Sequence, residues 1–312
     1  MSFDLTFSLV VVAAFGLLNL LLSLGVALLW RAGLRARVTR ADAVLGLRLV
    51  PALGSAVMVL TVVVPAFLLY EPPHAQDRPG PLLALSAILA LLVLADGLRR
   101  GLRAWRVTRA LARESQTQIC ESAAARTGIR VINVREPLVG VVGGWRPRIV
   151  AARCVAAACD REEFGQVIAH EAAHMDARDN LKLLVLLSMP DALAWLPTGT
   201  ELTEHWRAAT ELDADERASG SDPRKRVALA SALIKVARLA VANGRPGRIS
   251  RVSAHWGGLE QRVRRLLAPS SPSGPGLAGV RLFTCALLVP LAALPLYAFI
   301  HRLIEVLVAF GR

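Results

Sequence analysis

Asp160 to Asn180 reads DREEFGQVIAHEAAHMDARDN, and the rest of the chain takes its meaning from these residues. Asp160 followed three positions on by Glu163 has the form of a capping box, so a helix is expected to start after Asp160. On that helix Phe164, Ile168 and Met175 share an apolar face, and His170 and His174 lie one turn apart on a neighbouring face. Two imidazoles so spaced can reach one tetrahedral ion at about 2.0–2.1 Å each. Glu171, next to the first histidine, is placed to take a proton from water at such an ion without ligating it. The expected cofactor is therefore one catalytic Zn2+, with Glu171 as general base.

Such a site needs a third protein ligand and an open fourth position. Glu211-Leu212-Asp213-Ala214-Asp215 offers one, because Glu211 and Asp215 share a helix face. Glu211 is expected to ligate, and Asp215 to hold a ligand histidine by its other nitrogen. A solvated acidic face is the alternative at this point. Around the histidine helix, residues 129–134 and 146–155 have strand character, with Gly140, Gly143 and Gly144 supplying turns. The stretch 147–155 alternates as an edge strand would, open to an extended substrate. These pieces make residues 105–275 one α+β domain, closed by the linker PSSPSGPG at 269–276.

Further out the chain is apolar. Leu5 to Trp30 is uncharged over 26 residues, and crossing a bilayer takes about 20. Leu49–Tyr70 and Leu282–Ile300 are further uncharged runs, and Pro81–Ala95 is a shorter one that ends at Asp96. These give about four spans, three in residues 1–104 and the fourth in residues 276–312. The run Leu183–Met189 is too short to cross and reads as a core helix or a membrane-resting segment. With 54% hydrophobic residues and a mean hydropathy of +0.47, long apolar segments account for the composition better than one large core.

The net charge of +13 is almost all arginine. Residues 31–48 hold five arginines and one acid, and residues 99–113 hold six arginines and no acid. Positive charge stays inside, so the N-terminus is expected outside, and the 105–275 domain in the cytoplasm. Anionic headgroups then account for the basic excess, and no direct nucleic-acid partner is expected. Four cysteines without a CxxC pair fit a reducing compartment.

HEAAHMDARDN at 170–180, GGWRPRIVAAR at 143–153 and ELDADERA at 211–218 together resemble the Bla/Mec sensor-transducer family of membrane zinc peptidases. The order of three spans, a peptidase domain and a fourth span is similar too. The resemblance implies a gluzincin-type, zincin-like metalloprotease domain in a bacterial-type inner membrane. It also implies cleavage of a cytoplasmic transcriptional repressor and of the protein itself. His170, His174 and Glu211 become the metal ligands, Glu171 the base, and Asp179 the acid that orients the helix or a ligand. The chain is expected to depart from the β-lactam sensors, without a penicillin-binding domain after Ile300, and its 312 residues contain no S-x-x-K acylation motif.

His255-Trp-Gly-Gly-Leu-Glu-Gln-Arg262 resembles a late His…Arg segment of a neighbouring family, the membrane quality-control and prenyl-protein peptidases. That likeness implies a catalytic His255 stabilising the transition state, with Arg262 orienting substrate or histidine. Two alternatives stand beside regulated proteolysis. One is a broad quality-control protease of membrane proteins; the other is a non-enzymatic transducer on the same fold. Expected partners are the lipid bilayer and a protein substrate, and an oligomer is compatible with the sequence.

Overall fold

The computed structural model describes residues 3–70, 80–117, 129–134, 136–242 and 258–268. They are mostly helical, with one small sheet. Among the described residues three helices are long and apolar enough to cross a membrane: Asp4–Arg37, Ala41–Leu69 and Pro81–Arg113. The first is α1 (Phe3–Leu29), continued by a π-helical turn at Trp30–Leu34 into α2 (Arg35–Arg37). Gly33 kinks that turn with a φ of 107°, which lack of a Cβ permits. The second is α3 (Ala41–Met58), a π turn at Val59–Val63, and α4 (Val64–Tyr70). The third is α5 (Pro81–Thr117).

Two helix ends differ from those expected of uncharged runs. α3 starts at Ala41 rather than Leu49, so Arg48 lies inside the helix, 2% exposed and paired with Asp191 rather than with headgroups. α5 does not stop at Ala95. Asp96 is neutralised one turn on by Arg99 and Arg100, pairs that a continuous helix brings together. The expected fourth span, Leu282–Ile300, and the 269–276 linker lie outside the described residues.

Contacts divide the chain into two units. One comprises Met1–Gly101, Ser188–Thr203 and the undescribed Gly276–Arg312. Its core packs Val10 and Ala13 of α1, Val59, Val63 and Phe67 of the second helix, and Leu83 and Ala87 of α5. Gly16 lets α1 and α5 touch, since a Cβ there would lie 2.5 Å from the Ser86 carbonyl oxygen. Ser188–Thr203, within the stretch expected as one soluble domain, is held among these helices through a 3-10 turn at Ala192–Trp195 that Asp191 caps.

The other unit comprises Leu102–Leu187 and Glu204–Pro275. Its strands β1 (Arg130–Ile132), β2 (Val139–Val142) and β3 (Arg148–Ala152) form a sheet in the order β1-β3-β2. β3 runs parallel to β1 and antiparallel to β2, with Val139 opposite Ala151. The expected edge strand is therefore the central one, and Ile149 to Ala152 are buried. It is also shorter than expected, because Arg153–Ala158 turns into a helix, α6. Then follow α7 (Arg161–Ala177), α8 (Asp179–Ser188), α9 (Pro197–Ser219), α10 (Pro223–Ala242) and α11 (Leu259–Leu267). Ala152, Val155, Cys159, Val167 and Ala232 form the core between sheet, α7 and α10.

Candidate metal centre

The expected capping box is present: Asp160 Oδ1 accepts the Glu163 N–H at 2.8 Å, and Glu163 Oε2 accepts the Asp160 N–H at 2.9 Å. Glu163 also accepts from Ser231 Oγ and Lys235 Nζ of α10, each at 2.6 Å. Burial pushes the Glu163 carboxyl up, but these donors outweigh it and hold it below its ordinary range. The start of α7 is thus fastened to α10. The buried stripe of α7 is Glu163, Val167, His170 and Ala173. The expected apolar face of Phe164, Ile168 and Met175 is only half-buried. The helix turns its histidine face inward because that face has buried partners.

Those partners come from two other helices. Glu211 and Asp215, one turn apart on α9, are 8% and 4% exposed, so the solvated-face alternative does not hold for them. His170 Nε2 and His174 Nε2 are 3.1 Å apart. Glu211 places Oε2 3.4 Å from the first and Oε1 3.6 Å from the second. Ligand atoms about 2.0–2.1 Å from a tetrahedral ion are about 3.3–3.4 Å from one another. The triangle of two neutral-imidazole nitrogens and a carboxylate therefore has both the donor chemistry and the size for zinc.

Each imidazole is backed by a carboxylate. His174 Nδ1 is 2.8 Å from Asp179 Oδ2, and His170 Nδ1 is 2.9 Å from Asp215 Oδ1. A neutral ring with its proton on Nδ1, toward the carboxylate, leaves its Nε2 lone pair facing the centre. Asp179 reaches His174 because Arg178 ends α7 in the left-handed conformation, φ 55°, and α8 starts at once. Asp215 is held in turn by Arg262, which donates from Nε to Oδ2 at 2.8 Å and from Nη2 to Oδ1 at 2.7 Å. Arg262 Nη1 also lies 2.8 Å from Glu211 Oε2.

Buried, His174 would lose its proton readily, but Asp179 and Glu211 push its pKa up to about 10 in the metal-free protein. His170 is raised likewise, with Asp215 and Glu211 overcoming burial. Burial pushes the Glu171 carboxyl up, and the neighbouring histidines pull it only part of the way back. A carboxyl raised in this way holds a proton more readily than an exposed one, which suits a group that must take a proton and return it.

Glu171 lines a cavity of about 340 Å³ together with the three ligand candidates. Leu138, Val139, Gly140 and Val141 of the β2 edge form part of its wall, and Trp206, Leu229, Leu233 and Val236 another part. Asn180 ties β2 to the start of α8 by donating to the Val141 and Gly143 carbonyl oxygens, at 2.7 and 3.2 Å.

The structure thus brings together His170, Glu171, His174, Asp179, Glu211 and Asp215, all picked out in the sequence. His255 lies outside the described residues. The double hold of Arg262 on Asp215 and Glu211 went unread. Its signal is that Arg262 falls on the buried stripe of α11 with Leu266, where an arginine needs a buried acid. Compared with known proteins, the chain matches no family model, no curated protein and no solved structure.

Proposed function

We propose that this chain is an integral-membrane, zinc-dependent endopeptidase of the Bla/Mec type, with a zincin-like domain and four spans. In this reading the peptidase domain is cytoplasmic and cuts a cytoplasmic protein such as a repressor, with self-cleavage. The observation that carries the reading is the His170–His174–Glu211 triangle, sized for one zinc ion, with the carboxyl of Glu171 in the same cavity. A metal-binding scaffold has no need of that fourth group; hydrolysis does.

When bound, zinc supplies a Lewis acid that polarises a carbonyl and makes water more acidic. His170, His174 and Glu211 would hold it. Glu171 accepts the proton of the attacking water and hands it to the departing amine nitrogen. The substrate backbone is positioned by β2. The Ala152 N–H donates to the Leu138 carbonyl, so Leu138, Gly140 and Val142 face β3; Val139 presents its N–H and carbonyl to the other side and Val141 its N–H, the Val141 carbonyl already accepting from Asn180. Among the described residues no strand pairs with that side. An extended peptide added there would run along the wall of the cavity.

The test uses the purified full chain. Glu171→Gln is expected to keep its zinc and to lose casein cleavage by about 10²–10⁴-fold, the usual weight of a general base. Chelator should abolish wild-type cleavage and zinc should restore it. Zinc binding with no cleavage by the wild type would favour the non-enzymatic transducer instead.

A further inference from the structure

Three apolar helices converge on one short segment, and that segment lies in the chain between the elements that build the metal centre. α1 holds it through Asn19, which is fully buried. The Asn19 amide donates to the Pro190 carbonyl at 2.9 Å, and its oxygen accepts the Ala192 N–H at 2.8 Å. The second helix holds it through Arg48, whose Nη1 is 2.7 Å from Asp191 Oδ1; the two residues are 2% and 1% exposed. α5 holds it through Arg100, which donates to the Met189 carbonyl at 2.9 Å, and through Asp96, which accepts from Trp195 Nε1 at 3.2 Å. The turn that follows α1 adds Trp30, donating to Glu201 Oε2 at 3.2 Å.

Ionisable and amide side chains are costly inside a membrane bundle and are kept where they hold something that matters. Here Asn19, Arg48, Asp96 and Arg100 hold Met189–Glu201. Immediately before it comes α8, whose first residue Asp179 orients His174. Within it begins α9, a continuous helix that carries Glu211 ten residues beyond Glu201. A shift at the start of a rigid helix moves every residue on it.

We infer that the Ser188–Glu201 segment is the input element of the metal centre: the spanning helices set its position, and it positions Asp179 with His174 on one side and Glu211 on the other. Regulation of the proposed peptidase through its membrane helices would act here, and to that extent the inference rests on the proposed function. Asn19, Arg48 and Asp191 are positioning residues and touch no substrate.

Two glycines of α5 provide a sharp test. A Cβ at Gly97 would lie 2.8 Å from Pro190 Cα and 3.0 Å from the Ser188 carbonyl oxygen, backbone atoms that must move. Gly97→Ala therefore pushes the segment away while raising the helix propensity of α5. Gly46→Ala on α3, where nothing lies within 4 Å, is the control. Zinc affinity of the full chain in lipid nanodiscs, by chelator competition, is the readout, with peptide cleavage and thermal unfolding beside it.

Gly97→Ala and Asp191→Asn are expected to raise the zinc Kd about tenfold or more, as loss of the groups that orient metal ligands does. Gly46→Ala should stay within about twofold of the wild type, and Arg48→Gln with Asp191→Asn should recover most of the loss, since the double change leaves no uncompensated buried charge. If Gly97→Ala fails to insert, Gly101→Ala takes its place, because a Cβ there would lie 2.6 Å from Ser188 Oγ. Zinc Kd values within twofold of wild type in the wedge variant and in Asp191→Asn would overturn the inference. So would a loss that follows the unfolding temperature and is not recovered by the neutral pair. Because zinc affinity is read separately, a chain that never cleaves peptide would sink the peptidase and leave this inference standing.

Discussion

Asp215 and Asp179 do the same task for the two histidines from different supports. Asp215 is clamped by the Nε–Nη2 edge of a buried guanidinium, whereas Asp179 stands at the first turn of α8. Asp215→Asn should weaken zinc binding by roughly 10–100-fold. Arg262→Lys should weaken it too, because an ammonium cannot make the two parallel bonds. Chelator competition measures both, and an unchanged Kd in Arg262→Lys would contradict the clamp. The raised pKa of His174 adds a pH dependence. A pKa lifted from 6.5 to about 10 means that protonated His174 stabilises the metal-free fold fully below pH 6.5, and that this is lost as pH rises through about 10. Zinc needs the neutral ring, so binding releases the proton throughout that window, and affinity should rise with pH between 6 and 8. A flat zinc Kd over that range would argue against the ion at Nε2. The histidines and Glu211 were legible because helix geometry fixes residues four apart. Arg262 was legible as a residue that orients substrate or histidine, but its pairing with Asp215 was not, since the two are 47 positions apart and only tertiary packing joins them.

Among the elements, the start of α7 was legible to the residue, because a capping box is a local hydrogen-bond pattern. Asp160→Ala should cost about 1 kcal/mol of stability, visible as a lower unfolding temperature. Glu163, held below its ordinary range by Lys235 and Ser231, stabilises the fold above pH 4.5, and this is lost as pH falls through its lowered pKa. Glu163→Gln should therefore flatten the acid limb of the stability curve. Strand order was not legible. Val139-Gly140-Val141-Val142 is broken by a glycine and looks like a turn, yet its pairing with β3 makes it the strand on the cavity. Val139→Pro, which removes an N–H facing away from β3, should raise KM and leave zinc bound. Ile149→Pro or Ala151→Pro falls in the buried central strand and should cost the fold as well. Equal KM values for Val139→Pro and wild type would remove β2 from substrate binding. Span limits were misread for a related reason: hydropathy changes at the first charge, whereas a helix ends where its hydrogen bonds do.

At the level of the whole chain, the proposed orientation puts Arg37 and Arg224 inside and Ala75 outside. An impermeant thiol reagent on intact cells should therefore label Ala75→Cys and miss Arg37→Cys and Arg224→Cys; labelling of Arg224→Cys would put the metal centre on the opposite side. The grip on Met189–Glu201 also bears on how the protein is made. Ala192 follows Asn19 by 173 residues, which at the usual 5–20 residues per second takes a ribosome roughly 10–35 s. For that time Asn19 and Arg48 wait in the newly inserted helices without the groups they will bind, with the arginine free to reach toward the aqueous boundary. The packing of the three described apolar helices is thus completed by a segment translated after the histidine helix. Nascent chains halted at residue 117 should be degraded much faster in pulse-chase than chains halted at 242, and supplying residues 180–220 as a separate fragment should slow that loss.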